Sequence, residues 1–101
     1  MGPRKASEIF LNRHPEAVAF EVILYGSLAA TGKGHLTDVA ILDTLQPHAT
    51  VEIVWKPSVF LPFHPNGMTF RSKNSSGEVT DEWTVFSVGG GALAEEGKPF
   101  D

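Results

Sequence analysis

The residues best equipped for chemistry lie in one stretch, Tyr25-Gly26-Ser27-Leu28-Ala29-Ala30-Thr31-Gly32-Lys33-Gly34-His35-Leu36-Thr37-Asp38. Glycines let successive backbone N–H groups converge on one point, and the start of a helix adds partial positive charge. Lys33 and His35 bring side-chain donors to the same bend. Together these features make an anion site for a carboxylate or a phosphate. The plainer reading is a tight strand-to-helix connection with solvated side chains, and the pattern alone leaves both open.

The stretch is not a phosphate-binding P-loop. That motif separates its first glycine from the Gly-Lys pair by four residues and follows the lysine with Ser or Thr. Here five residues separate Gly26 from Gly32-Lys33, and Gly34 stands where the magnesium-binding hydroxyl is required. A second polar cluster is His64-Pro65-Asn66-Gly67, either a β-turn or a pair of donors beside a substrate. A third is Gly89-Gly90-Gly91, which permits close backbone approach to a ligand or another domain, or simply a flexible exit. The histidines His14, His35, His48 and His64 are scattered, with no i, i+3 or i+4 pair on a helix, so no metal site is expected within this chain. Ser27 lacks the strand–turn setting of a G-x-S-x-G nucleophile. Trp55 and Trp83 fall at strand positions and read as core.

The elements that must position these residues follow from periodicity. Pro3 can open a helix because its first turn needs no N–H partner. Residues 4–13 then carry Ala6, Ile9, Phe10 and Arg13 at helical spacing, and Pro15 stops the helix. Residues 17–25 form a strand with apolar residues on both faces, the mark of a central strand covered on both sides. After the glycine-rich stretch, Thr37 reads as an N-cap, with Asp38 in the first turn and Val39, Leu42 and Leu45 behind it. Three strands follow, at residues 50–55, 68–72 and 78–88. The last two are joined by the hairpin turn Lys73-Asn74-Ser75-Ser76-Gly77. The segment 57–67, with three prolines, is expected to be a structured loop. The fold class is α+β: helix, strand, helix, three strands, giving a four-stranded mixed or antiparallel sheet with helices packed on one side. All 101 residues form one domain, with a frayed tail from about Ala92.

Composition narrows the function. The chain is 42% hydrophobic and 20% charged, too apolar for disorder and too charged for a membrane protein. No apolar run approaches a membrane span, and no signal-like segment opens the chain. A formal net charge of −4 with no basic stripe argues against nucleic acid. The cysteine count of 0 removes disulfides, thiolate nucleophiles and any iron–sulfur ligands from this chain. A reducing cytoplasm is the expected compartment.

Four motifs occur in order and spacing: Tyr25-Gly26-Ser27-Leu28; Thr31-Gly32-Lys33-Gly34-His35 with Thr37-Asp38; His64-Pro65-Asn66-Gly67-Met68; and Phe86-Ser87-Val88-Gly89-Gly90-Gly91. In these the chain resembles the β-chain domain of iron–sulfur-dependent L-serine dehydratases (L-serine ammonia-lyases). The resemblance covers nearly the whole chain. It implies conversion of L-serine to pyruvate and ammonia, with a [4Fe–4S] cluster held by the cysteines of a separate α-chain domain. It also implies a fold like the allosteric substrate-binding domain of some D-3-phosphoglycerate dehydrogenases. Carried over residue by residue, it makes His35 a base or a donor to the substrate carboxylate, and Asp38 a group that orients His35 or simply a first-turn charge. Ser27, Thr31 and Lys33 become anion contacts, with His64 and Asn66 on a second loop. The family's Gly-Pro-Ser-Ser-Ser-His-Thr signature would fall ahead of Met1, so these 101 residues are expected to be an inactive portion of an enzyme.

The implied partners are the α-chain catalytic domain and L-serine. Two other roles fit the same residues. One is a non-catalytic regulatory module that binds an amino acid or anion. The other is an interaction domain, in which an open sheet edge could pair strands to form a homodimer.

Overall fold

The computed structural model describes residues 3–26, 35–56, 67–87, 93–95 and 98–99. Helix α1 spans Pro3–Arg13 and buries Ala6, Ser7 and Phe10. Pro15 forbids its continuation, and the His14 N–H closes the last turn on the Leu11 carbonyl at 3.0 Å. Strand β1, Ala19–Tyr25, follows. Helix α2 spans His35–Leu45. It begins two residues earlier than the expected cap, so Thr37 lies inside the first turn rather than ahead of it, and Asp38 keeps its place in that turn. Strands β2 (Thr50–Lys56), β3 (Gly67–Lys73) and β4 (Val79–Ser87) complete the α+β order read from the sequence.

The sheet is mixed. Its order is β2-β1-β3-β4, extended past β4 by two short strands, β5 (Leu93–Glu95) and β6 (Lys98–Pro99). These two lie in the tail expected to be frayed. β1 pairs with β2 in parallel and with β3 antiparallel, and is central. A parallel pair cannot be closed by a tight turn. The crossover is α2, which covers β1 and β2 as it returns. β3 and β4 need only a hairpin. There the Asn74 side-chain oxygen accepts from the Ser76 and Glu78 N–H groups at 2.9 and 3.0 Å, and Gly77 takes φ +83°.

Alternation sorts the sheet into two faces. Phe20, Val22 and Leu24 of β1 share one face with Met68 and Phe70 of β3 and with Trp83 and Val85 of β4. Ala6 and Phe10 of α1 and Ile41 and Leu45 of α2 close over this face, so both helices lie on one side. Phe10 is the hub. Its ring lies 5.8 Å from Phe20, 5.6 Å from Phe70 and 6.1 Å from Trp83, the last parallel to within 2°. Trp83 is buried as expected, and Trp55 packs half-buried at the edge of the same core. The opposite face also buries Ile23, Thr69 and Thr84, but both described helices lie on the first face, so the expected layer on each side of β1 is seen on one side only among the described residues.

Two substitutions test this packing. Phe10→Ala empties the centre of the aromatic cluster and should cost about 3–5 kcal/mol in urea unfolding. Ser7→Ala should raise stability by about 1 kcal/mol, because the Ser7 hydroxyl is fully buried without a hydrogen bond. A wild-type midpoint for Phe10→Ala would mean that α1 is not docked on the sheet.

Candidate functional site

The strand register brings one end of the sheet to attention. Tyr25, the last residue of β1, stands opposite Lys56, the last of β2. On its other side Tyr25 faces Gly67, the first residue of β3, which in turn faces Phe86 near the end of β4. Tyr25, Lys56, Gly67 and Phe86 therefore form one row across four strands. Every segment carrying a sequence-predicted site residue leaves or enters the sheet at this row. Segment 27–34 follows Gly26, segment 57–66 joins Lys56 to Gly67, and segment 88–92 follows Ser87.

Helix α2 adds its N-terminus to the same end. Its C-terminus is tied to the opposite end, where the Ala49 N–H meets the Leu45 carbonyl at 3.1 Å and Thr50 pairs with Ala19. An 11-residue helix rises ~16 Å, against ~20 Å for the seven residues of β1, so its first residue, His35, comes back toward the end at which β1 finishes. Asp38, three residues on, shares a helix face with His35. It is half-buried, and one of its carboxylate oxygens is shielded from solvent.

The positions read from the sequence divide accordingly. His35 and Asp38 are located, as backbone position and half-buried carboxylate respectively. Ser27, Thr31, Lys33, His64 and Asn66 lie outside the described residues, in segments anchored at the row. His14 and His48 belong to the other end. His14 Nε2 lies 2.9 Å from Asp81 Oδ2 at the start of β4, although too obliquely for a good hydrogen bond, and His48 is exposed just after α2. An open groove of about 420 Å³ between Val18 and residues 46–51 is likewise at that far end, away from every candidate. No group of three metal-ligating side chains occurs among the described residues.

Sequence reasoning did not single out Lys56, nor the charged row on the face away from the helices. There Arg71 donates to Glu82 at 2.6 Å and to Glu21 at 2.9 Å, and Lys73 lies 4.0 Å from Glu21. The hydrogen bonds to Glu82 and then to Glu21 raise the Arg71 pKa against the opposing effect of burial. The guanidinium stays charged throughout the neutral range, so this row is a fixed feature of the face and not a titrating one. Alternation in β1, β3 and β4 puts these charges on one face, but only the register makes them neighbours.

Residues 1–52 and 43–98 match the family model described as serine dehydratase beta chain. The chain belongs to the serine dehydratase beta-chain family. It is 33% identical over 135 residues to an L-serine dehydratase of Mycobacterium tuberculosis (strain CDC 1551 / Oshkosh), an alignment covering 95% of this chain and 29% of that protein. An L-serine dehydratase of Escherichia coli (strain K12) is 30% identical over 136 residues, covering 95% of this chain and 30% of that protein. A Bacillus subtilis (strain 168) protein named "Probable L-serine dehydratase, beta chain" is 33% identical over 106 residues, covering 89% of this chain and 46% of that protein. The chain thus spans just under a third of the mycobacterial and E. coli relatives and about half of the Bacillus one.

An alignment of 135 residues is longer than the 101-residue chain, so the mycobacterial relative carries residues that this chain lacks. The family match itself breaks in two, with residues 43–52 shared by both halves. Residues 43–52 run from the last turn of α2 into β2, at the end of the sheet away from the row of Tyr25, Lys56, Gly67 and Phe86.

Gly26 makes the bend out of β1 at this row. It is buried with φ +102°, a conformation that L side chains rarely adopt. Gly26→Ala should lower stability by about 1–2 kcal/mol in urea unfolding. An unchanged midpoint would mean that the strand end is not held in this conformation.

Proposed function

We propose that this domain supplies the cysteine-free half of an L-serine-dehydrating site, with the end of the sheet at Tyr25, Lys56, Gly67 and Phe86 turned toward a cysteine-bearing α chain. The observation that carries this reading is the row of strand ends at Tyr25, Lys56, Gly67 and Phe86, from which the chain passes into the motif-bearing stretches of the sequence. Membership of the beta-chain family supports it.

The reaction is an elimination followed by hydrolysis. A base takes the α-proton, the freed electron pair forms the Cα=Cβ bond, and the β-hydroxyl departs as water after gaining a proton. The resulting aminoacrylate tautomerises and is hydrolysed to pyruvate and ammonia. In this reading His35 serves the substrate as base or as donor to its carboxylate, since an imidazole needs only a small pKa shift to act near neutrality. Asp38, on the same helix face, is a positioning residue for it. Ser27, Thr31 and Lys33 contact the carboxylate from the first loop, and His64 and Asn66 approach from the second. A [4Fe–4S] cluster, when bound, supplies Lewis acidity at the departing hydroxyl. With no cysteine in the sequence and no triad of metal-ligating groups among the described residues, this chain does not fit as its holder, and the ligands belong to the α chain. The domain alone is therefore inactive.

The test is His35→Ala in the complex of this chain with the α chain. Serine deamination should fall about a hundredfold or more. A loss of only a few-fold would remove His35 from the chemistry. Calorimetry of the chain alone against L-serine and against phosphate should show no saturable binding. Tight binding of either would favour the regulatory amino-acid or anion module instead.

A further inference from the structure

Strand β2 is the last strand on its side of the sheet, and among the described residues nothing pairs with its outer edge. Edge strands expose a row of N–H and C=O groups, and proteins commonly blunt them with a proline, a bulge or charged side chains. β2 has no proline and no bulge, and its exposed charges are of opposite sign, Glu52 and Lys56. It runs Thr50-Val51-Glu52-Ile53-Val54-Trp55-Lys56 in unbroken register with β1. The short connection from α2 brings the chain straight into this strand.

The edge also carries an unbalanced charge. Glu52 stands directly opposite Glu21 of β1, on the face away from the helices. Like charges so placed are unfavourable. Glu21 is answered by Arg71 and Lys73. Glu52 and Lys56 are both exposed and have no ionic partner among the described residues. They lie on the same face of one strand, four residues apart.

We propose that β2 pairs antiparallel with β2 of a second copy of this chain, about a two-fold axis through Val54. In that register Glu52 faces the second copy's Lys56, and Lys56 faces its Glu52. On the helix-covered face Ile53 meets the second copy's Trp55, a β-branched and aromatic pair of the kind that stabilises neighbouring strands. No neighbouring isologous register does this. An axis at Ile53 sets Glu52 against Val54, an axis at Glu52 sets Glu52 against itself, and an axis at Trp55 sets Lys56 against Val54. The pairing joins the two sheets into one and supplies Glu52 with the cation that Glu21 already has. The antiparallel arrangement also points the two Tyr25–Lys56 ends in opposite directions, so each remains open to an α chain.

Sedimentation of the 101-residue chain over a concentration series tests this. The wild type should be a dimer that weakens as salt is raised. Glu52→Lys and Lys56→Glu each turn two attractive pairs into repulsive ones, and each should weaken association on the order of tenfold or more. Mixing the two single variants regenerates both attractive pairs and should restore a heterodimer to within a few-fold of wild type, as should Glu52→Lys combined with Lys56→Glu in one chain. Far-UV circular dichroism of each variant establishes that it is folded. A wild type that stays monomeric at ~100 μM would overturn the proposal, since a specific dimer of micromolar affinity would be largely formed there. So would a dimer indifferent to both single reversals, or folded single variants that fail to associate when mixed.

Discussion

A strand that pairs in parallel with its successor must send the chain back along the full length of the sheet before it can re-enter. That requirement, imposed on β1 and β2, organises the rest of this domain. The return path is α2, which finishes where β2 begins. The same path brings a helix N-terminus, and His35 with it, back toward the end of the sheet at which β1 and β2 finish. The two helices cover one face because their apolar residues, Phe10 of α1 and Ile41 and Leu45 of α2, have a single large surface to bury against. The other face is thereby left to the charged row of Glu52, Glu21, Arg71 and Glu82.

The two ends of the sheet differ. One end holds the row of Tyr25, Lys56, Gly67 and Phe86, next to which the family's motifs stand in the sequence. The other holds the short link from α2 to β2, the groove beside Val18, and the contact of His14 with Asp81. Phe10, stacked on Trp83 and flanked by Phe20 and Phe70, holds the layers in place between the two ends.

Much of this was legible in the residues. Pro15 ended α1, the apolar run around Val22 announced a central strand, and Asn74 with Gly77 marked the hairpin, because each of these signals is local. The start of α2 falls three residues ahead of the one a Thr37 cap implies, because Thr37 has the chemistry of a cap yet His35, Leu36 and Thr37 already lie in helical conformation. Residues distant in sequence were harder. Nothing in the order of letters says that Lys56 ends level with Tyr25, or that Glu21 lies between Glu52 and Arg71, since strand register is decided by the fit of one core face against its neighbours. The motifs were recognisable as a set because each is a run of residues adjacent in sequence.

The claim at the centre of this account is that the row of Tyr25, Lys56, Gly67 and Phe86 is the face that meets the α chain. Amide NMR of the labelled domain, titrated with unlabelled α chain, reads this directly. The account predicts that the signals of Tyr25, Gly26, His35, Lys56, Gly67 and Phe86 shift or broaden, while those of His14, Ala19, Thr50 and Asp81 hold still. Perturbation confined to the second group would place the partner on the wrong end of the sheet and contradict it.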